Sequence, residues 1–194
     1  MYKGIVLTIP REVFHPGFFF STKILLRYVA RLALPEKNFL ELGAGSGLIS
    51  IFAAKQGAQV TASDINRKAI DFLEMNSANN HVYIRTILSD LFAAIPPKAF
   101  DIIAINPPYY KKQPRSEAEY AWFCGENGEY FERLFQSLPA YIHPSSLTLL
   151  TLCDGCDITM IRRMAKENGF ELNCLLQKDT LIERNYLFRI EKKP

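Results

Sequence analysis

From residue 38 onward the sequence predicts an open α/β sheet of seven strands, mostly parallel, with helices on both faces and an antiparallel C-terminal hairpin. Three observations carry that expectation. Short apolar runs rich in β-formers alternate with stretches whose apolar residues recur at helical spacing. A cluster of glycines lies between the first such strand and the helix behind it. The last two strands are joined only by the charged link from Gln177 to Asn185, too short to hold a crossover helix, so they must pair antiparallel.

The elements follow in order. Residues 1–20 mix apolar runs (Ile5-Val6-Leu7-Thr8-Ile9, Val13-Phe14) with Pro10 and Pro16-Gly17, which predicts a small hairpin or lid. Ser21 or Thr22 is placed to cap a helix whose apolar positions are Ile24, Leu25, Tyr28, Val29 and Leu32, with Pro35 at its end. Strands are expected at 39–42, 58–62, 82–88, 100–105, 147–152, 170–176 and 186–190. Helices are expected from the glycine cluster to about Lys55, from an Asn66 cap to about Ala78, over Glu129–Tyr141, and over Ile158–Asn168. No repeat, low-complexity tract or linker divides the chain. Residues 1–194 therefore read as one domain, with 1–37 an extension and 38–194 the core.

Composition narrows the class. The 194 residues are 48% hydrophobic and 22% charged, ordinary values for a globular protein. A net charge of +3 is too small to argue for nucleic acid alone. No apolar run reaches membrane-span length and the start lacks a signal-peptide pattern, so a cytoplasmic protein with no membrane partner is expected. Cys153-Asp154-Gly155-Cys156 has the spacing of redox and zinc sites, yet no second such pair accompanies it and the histidines are scattered at 15, 81 and 143. The plain reading is two cysteines at a strand end and the turn after it, with no metal.

Two stretches carry chemistry. In Ile102-Ile103-Ala104-Ile105-Asn106-Pro107-Pro108-Tyr109-Tyr110, a buried strand stops at two prolines that lack an N–H for sheet pairing. A stiff turn follows, bearing an amide side chain, free carbonyls and two aromatic rings, which suits a flat molecule with an NH₂ group. The second stretch is Gly43-Ala44-Gly45-Ser46-Gly47, with Asp64 seventeen residues after Gly47 at the next strand end. A glycine turn at a helix start plus a carboxylate for ribose hydroxyls reads as a nucleoside-cofactor site. Dinucleotide sites space their glycines G-x-G-x-x-G; here the spacing is G-x-G-x-G, directly preceded by Glu41. That carboxylate repels a pyrophosphate and suits a cationic amine, which favours S-adenosylmethionine over NAD.

With those residues in place, the chain resembles a class I S-adenosylmethionine-dependent methyltransferase with a Rossmann-like sheet. Glu41 to Gly47 resembles the family's first motif, and Asp64-Ile65 its second strand end. Ser89-Asp90-Leu91-Phe92 resembles the segment at which an Asp meets the adenine amine. Asn106-Pro107-Pro108-Tyr109 resembles the signature of enzymes that methylate planar NH₂ groups. Within the class the likeness is to the HemK/PrmC type, which methylates a glutamine amide in translation release factors. Ala121–Glu129 resembles its Gly-rich segment, and Val13-Phe14-His15-Pro16 with Ser21–Leu26 the stretch before its first helix.

The resemblance implies roles. Thr22, Glu41, Gly43, Ala44, Gly45, Gly47, Asp64, Ile65, Asp90, Leu91 and Asn106 would hold the cofactor, while Asn106, Pro107, Pro108 and Tyr109 form the catalytic turn. Substrate N–H groups would donate to the Asn106 side-chain oxygen and the Pro107 carbonyl, with Tyr109 stacked on the planar group. Only 37 residues precede the first strand, so the family's helical N-terminal domain is not expected. Nucleic-acid methyltransferases share the Asn-Pro-Pro-aromatic turn, and Lys111, Lys112 and Arg115 follow it. The acceptor is thus a release-factor-like protein or an adenine or guanine amine in RNA or DNA. A cofactor-binding scaffold without catalysis and an NAD-linked oxidoreductase are readings from other classes.

Overall fold

The computed structural model describes residues 4–10, 20–180 and 183–193. Its elements are α1 (Phe20–Val29), β1 (Asn38–Leu42), α2 (Leu48–Lys55), β2 (Gln59–Asp64), α3 (Arg67–Asn79), β3 (Arg85–Leu88), β4 (Phe100–Ile105), α4 (Glu129–Ser137), β5 (Ile142–Cys153), α5 (Ile158–Glu167), β6 (Phe170–Asp179) and β7 (Arg184–Lys192). The seven strands form one sheet in the order β3-β2-β1-β4-β5-β7-β6. β1 to β5 run parallel, and β7 lies antiparallel to both β5 and β6. The hairpin and the seven-strand α/β sheet expected from the sequence are therefore present.

The alternating period of β1 and β4 explains how both faces are covered. Leu40, Leu42, Ile103 and Ile105 point into one core with Phe131 and Leu134 of α4 and Ile161 of α5. Phe39, Ile102 and Ala104 point the other way, against Ile24 and Leu25 of α1, Ile49 and Phe52 of α2 and Leu73 of α3. Moving outward from β1, the chain goes one way to β2 and β3, and the other way to β4 and β5. Ligands in open α/β sheets bind where strand order reverses in this manner, beyond the carboxyl ends of the strands. Leu42 pairs with Ile105, so Gly43 and Asn106 leave the sheet side by side.

Several boundaries differ from the sequence reading. Ser21 and Thr22 do not cap α1; both lie inside it, 2% and 6% exposed, with their side chains turned toward the sheet rather than back to free N–H groups. The helix ends at Val29, where Arg31 and Leu32 close tight turns onto Tyr28 and Val29, well before Pro35. β3 starts at Arg85, because Val82 still bonds to Ser77 at the end of α3. α4 stops at Ser137 and Leu138–Tyr141 tightens to a 3₁₀ turn around a proline. Asn66 does cap α3, accepting from the Lys68 N–H at 2.9 Å.

The hairpin expected over residues 1–20 lies partly on residues 11–19, outside the described residues, as do Val13 to Pro16. Residues 4–10 form no strand. They run along the C-terminal end of α3, where the side chain of the cap residue Asn80 accepts from the Val6 N–H (3.2 Å) and donates to the Val6 carbonyl (2.7 Å). Asn76 does the same for Thr8, at 2.8 and 3.0 Å. Each amide side chain stands where a neighbouring strand's backbone would. Among the described residues no helix is long and apolar enough to cross a membrane.

Candidate active site

A cavity of about 430 Å³ opens at the β1/β4 switch. That volume is in the range of small-molecule sites. On one side lies the glycine turn. Gly43, Gly45 and Gly47 have φ values of 71°, 54° and 84°, left-handed conformations that side chains resist. A Cβ at Gly47 would run into the Leu73 side chain, and one at Gly43 would sit 4.0 Å from the Asn106 carbonyl oxygen across the cavity. The turn thus needs glycine for its left-handed backbone at all three positions and, at Gly47, for close packing against α3.

Two carboxylates, Asp64 half-buried and Glu41 buried, hold that turn and the helix start behind it. Asp64 accepts from the Gly45 N–H at 2.8 Å and the Asn66 N–H at 2.9 Å. Burial nevertheless pushes its carboxyl above the usual range. Glu41, 5% exposed, accepts from the Ser50 N–H at 2.8 Å and from the Ser50 hydroxyl. Burial outweighs both bonds and raises it to about 8, with Asp64 adding a smaller repulsion. Ala44, Ile65 and Leu91 complete this wall, Leu91 with a φ of 49°.

The opposite side is the Asn106-Pro107-Pro108 turn. Its amide is fixed at both ends. The Asn106 oxygen accepts hydroxyl hydrogens from Thr151 of β5 (2.7 Å) and from Tyr109, and its NH₂ donates to Thr22 of α1 at 3.3 Å. Tyr109 is 7% exposed, packs in the core with Cys153 and Leu152, and is not on the cavity wall. The expected stacking of its ring on a substrate is therefore not the arrangement found: the ring turns inward because its phenol finds Asn106 there, and burial raises that phenol further. Tyr110 is 41% exposed and meets Tyr109 edge to face at 6.4 Å.

Segment 111–127 folds back as a wall of the cavity rather than a free loop. The Tyr109 and Tyr110 N–H groups both donate to the Trp122 carbonyl (3.0 and 2.8 Å), and Tyr110 and Lys112 bridge to Phe123 and Gly125. Lys111 pairs with Asp157 at 3.2 Å; Lys112 pairs with Glu119 at 3.7 Å and sits 4.4 Å over the Phe123 ring. These lysines are engaged within the protein.

Asp90 reaches the cavity wall, but its carboxylate is gripped by both terminal nitrogens of Arg133, at 2.6 and 3.0 Å. Arg133, Tyr130, Ser50 and Thr151 are the site residues that the sequence reading missed. None lies in a motif. A polar Arg133 on strongly amphipathic α4, four residues after Glu129, was the one local signal. Thr22, Glu41, Gly43, Ala44, Gly45, Asp64, Ile65, Asp90, Leu91, Asn106, Pro107 and Pro108 all line the cavity; Gly47 lies behind it as the start of α2, and Tyr109 behind Asn106.

The residues fit the cofactor inferred from the sequence. Five carboxylates (Glu41, Asp64, Asp90, Glu117 and Glu129), a ring of backbone groups and left-handed glycines surround the space, and Arg133, the arginine that the described residues bring to the wall, is neutralised by Asp90. That set suits an amine and a ribose, and its carboxylates oppose a phosphate to which, among the described residues, the wall offers no uncompensated cationic side chain.

Comparison with known proteins agrees. A family model described as "Methyltransferase small domain" matches residues 12–124. A putative protein N5-glutamine methyltransferase of Methanocaldococcus jannaschii is 36% identical over 149 residues, 72% of each chain. A release factor glutamine methyltransferase of Streptococcus pneumoniae is 32% identical over 127 residues, 59% of this chain and 45% of that protein. Among solved structures, the E. cuniculi Mtq2-Trm112 complex, described as responsible for methylating the eRF1 translation termination factor, superposes with a TM-score of 0.70 at 21% identity. It covers 94% of this chain and 99% of the matched one, a likeness of fold.

Proposed function

This chain belongs to the methyltransferase small domain family, an S-adenosylmethionine-dependent class, and we propose that it methylates the side-chain amide of a glutamine in a release-factor-like protein. The observation that carries this is Asn106, presented at the switch point beside Gly43 by the Leu42–Ile105 register and fixed by hydroxyls from three separate elements.

S-adenosylmethionine, when bound, supplies an electrophilic methyl group on a sulfonium. The chain's own residues do the rest. Asp64 is read as the ribose partner, Glu41 as the partner of the amine, and Asp90 with Leu91 as the adenine wall, with Thr22, Ala44, Gly45 and Ile65 around them. Pro107 lacks an N–H and leaves its carbonyl as an acceptor for one hydrogen of the substrate NH₂. Asn106 accepts the other.

An amide oxygen has two lone pairs, and here Thr151 and Tyr109 take both. One donor must leave when substrate arrives. Thr151 is fixed in β5 between Leu150 and Leu152, whereas Tyr109 sits on the loop, so the Tyr109 phenol is the donor that yields. Catalysis is then positioning and differential hydrogen bonding, with no strong general base.

The protein substrate is favoured over a nucleic-acid base because Lys111 and Lys112 are paired with carboxylates rather than presented as a phosphate track. Incubation with labelled cofactor and separated protein and RNA fractions tests this. Label is expected in a protein of release-factor type, as N5-methylglutamine; label confined to RNA would replace the reading.

A further inference from the structure

Cys153 and Cys156 have no part in the proposed methyl transfer, yet they form a dithiol next to it. Cys153 ends β5, and Cys156 precedes Asp157, whose side chain caps α5 through the Met160 N–H at 3.0 Å. Between them the chain makes a tight turn, Cys156 N–H to Cys153 carbonyl at 3.0 Å. The two sulfurs are 3.6 Å apart, and the Cys153 N–H donates to the Cys156 sulfur at 3.2 Å. Neighbours fix both ends: the Asp154 N–H donates to the Arg184 carbonyl, and the Arg184 N–H to the Asp154 carboxylate. Asp154 and Gly155 at the tip are exposed, which leaves the sulfurs one residue beneath solvent.

We propose that Cys153 and Cys156 are a thiol modification site, closed to an intra-turn disulfide by a peroxide-class oxidant, and that closure displaces the Tyr109-Tyr110 loop. The Cys153 thiolate attacks a peroxide oxygen, breaking the O–O bond, to give a sulfenic acid and water. The Cys156 sulfur then attacks the sulfenic sulfur, loses its proton, and expels the second water. Per disulfide, two thiols lose two electrons and two protons and one hydrogen peroxide becomes two waters. The Cys156 thiol and the Gly155 N–H beside it draw Cys153 below the usual thiol range against the opposing effect of burial, the direction that favours attack by its thiolate. Because the resolving thiol is in contact, the sulfenic acid is captured before further oxidation.

The turn is coupled to the loop by packing. Gly155 lies against Tyr110 so closely that a Cβ there would be 3.3 Å from a ring carbon. The carbonyl of Tyr110 accepts from the Cys124 thiol at 3.3 Å, and its N–H is bound to Trp122. Two residues upstream of Cys153, Thr151 holds Asn106. Drawing the two sulfurs together pulls on the turn that joins them, and Gly155 in that turn is packed on the Tyr110 ring. An effect on turnover rests on the methyltransferase reading; the thiol chemistry does not.

The test uses the intact chain, its single tryptophan, Trp122, as reporter, and exposed Cys174 as internal control. Hydrogen peroxide is added stoichiometrically, free thiols are alkylated, and peptides are mapped by mass while tryptophan emission is followed. The expected result is a peptide lacking two hydrogens across Cys153–Cys156, a shift in Trp122 emission, and reversal of both by dithiothreitol. Cys156→Ser is expected to lose the disulfide and its reversible emission shift. Full alkylation of both thiols under conditions that oxidise Cys174 overturns the site. A disulfide that forms with no change in emission overturns the coupling. Neither readout needs methyl transfer, so a failure here is separable from a failure of the proposed function.

Discussion

The two sides of the cavity hold their key groups by opposite means. On the glycine side, carboxylates fix backbone: Asp64 holds the N–H groups of Gly45 and Asn66, and buried Glu41 holds that of Ser50. On the Asn106 side, neutral hydroxyls fix a neutral amide. A carboxylate in low dielectric carries a large desolvation cost and titrates, whereas a hydroxyl–amide network costs less to bury and, with the Tyr109 phenol raised further by burial, stays neutral at ordinary pH. Cofactor binding should therefore be pH-sensitive, and the positioning of the acceptor nitrogen should not.

The largest effect expected is that of Asn106→Ala, which removes the centre of the neutral side. Turnover of labelled cofactor should be abolished while cofactor affinity, read by calorimetry, stays within about threefold, roughly 0.7 kcal/mol. Near-normal turnover would sink the division of labour. Asp64→Ala attacks the charged side and strips two backbone N–H groups of a charged acceptor. Cofactor affinity should fall by about tenfold to a hundredfold, since bonds to charged groups are worth about 1.5–3 kcal/mol.

Glu41 provides the pH contrast. Its carboxyl is raised from 4.5 to about 8, so between those values the folded protein holds a proton that the unfolded chain has lost. Stability of the cofactor-free protein should accordingly fall as pH rises through that window. Pairing with a cationic amine requires the carboxylate, so cofactor affinity should rise with pH toward 8, by at most about tenfold per pH unit. Calorimetry in buffers of different ionisation enthalpy should detect proton release, and Glu41→Gln should flatten both profiles. The smallest effect is that of Thr151→Val, which deletes one neutral hydrogen bond worth about 0.5–1.5 kcal/mol. Turnover should drop about two- to tenfold with the cofactor constant unchanged, and Thr151→Ser should restore it.

The same contrast decides what could be read from the sequence. A backbone that must turn left-handed calls for glycine, so Gly43, Gly45 and Gly47 announce their side of the cavity locally. Strand ends and the double proline did the same for Asp64 and Asn106. Two of the three groups that hold Asn106, Thr22 and Thr151, come from 84 and 45 residues away, and Arg133 meets Asp90 across 43. Such distances leave no mark in local spacing. Thr22 shows how a local rule misleads: a hydroxyl near a helix start reads as a cap, but burial beside Asn106 gave it another partner. Tyr109 is the converse, an aromatic read as substrate-facing whose phenol is used internally.

The amide clamp on residues 6–8 has a metric consequence. Asn76 on α3 and Asn80, the residue that caps its C-terminus, are four residues apart, about 6 Å of helix rise, while Val6 and Thr8 are two residues apart, about 6.6 Å if extended. The two lattices are nearly commensurate over one repeat, so a helix can index an extended strand as a ruler does. A slip of one residue would turn the Val6 and Thr8 backbone groups away and forfeit all four bonds. A slip of two that moved Thr8 opposite Asn80 would bring Pro10, with no N–H, opposite Asn76. Odd slips and slips in that direction are thus excluded by arithmetic between two secondary structures and by one proline.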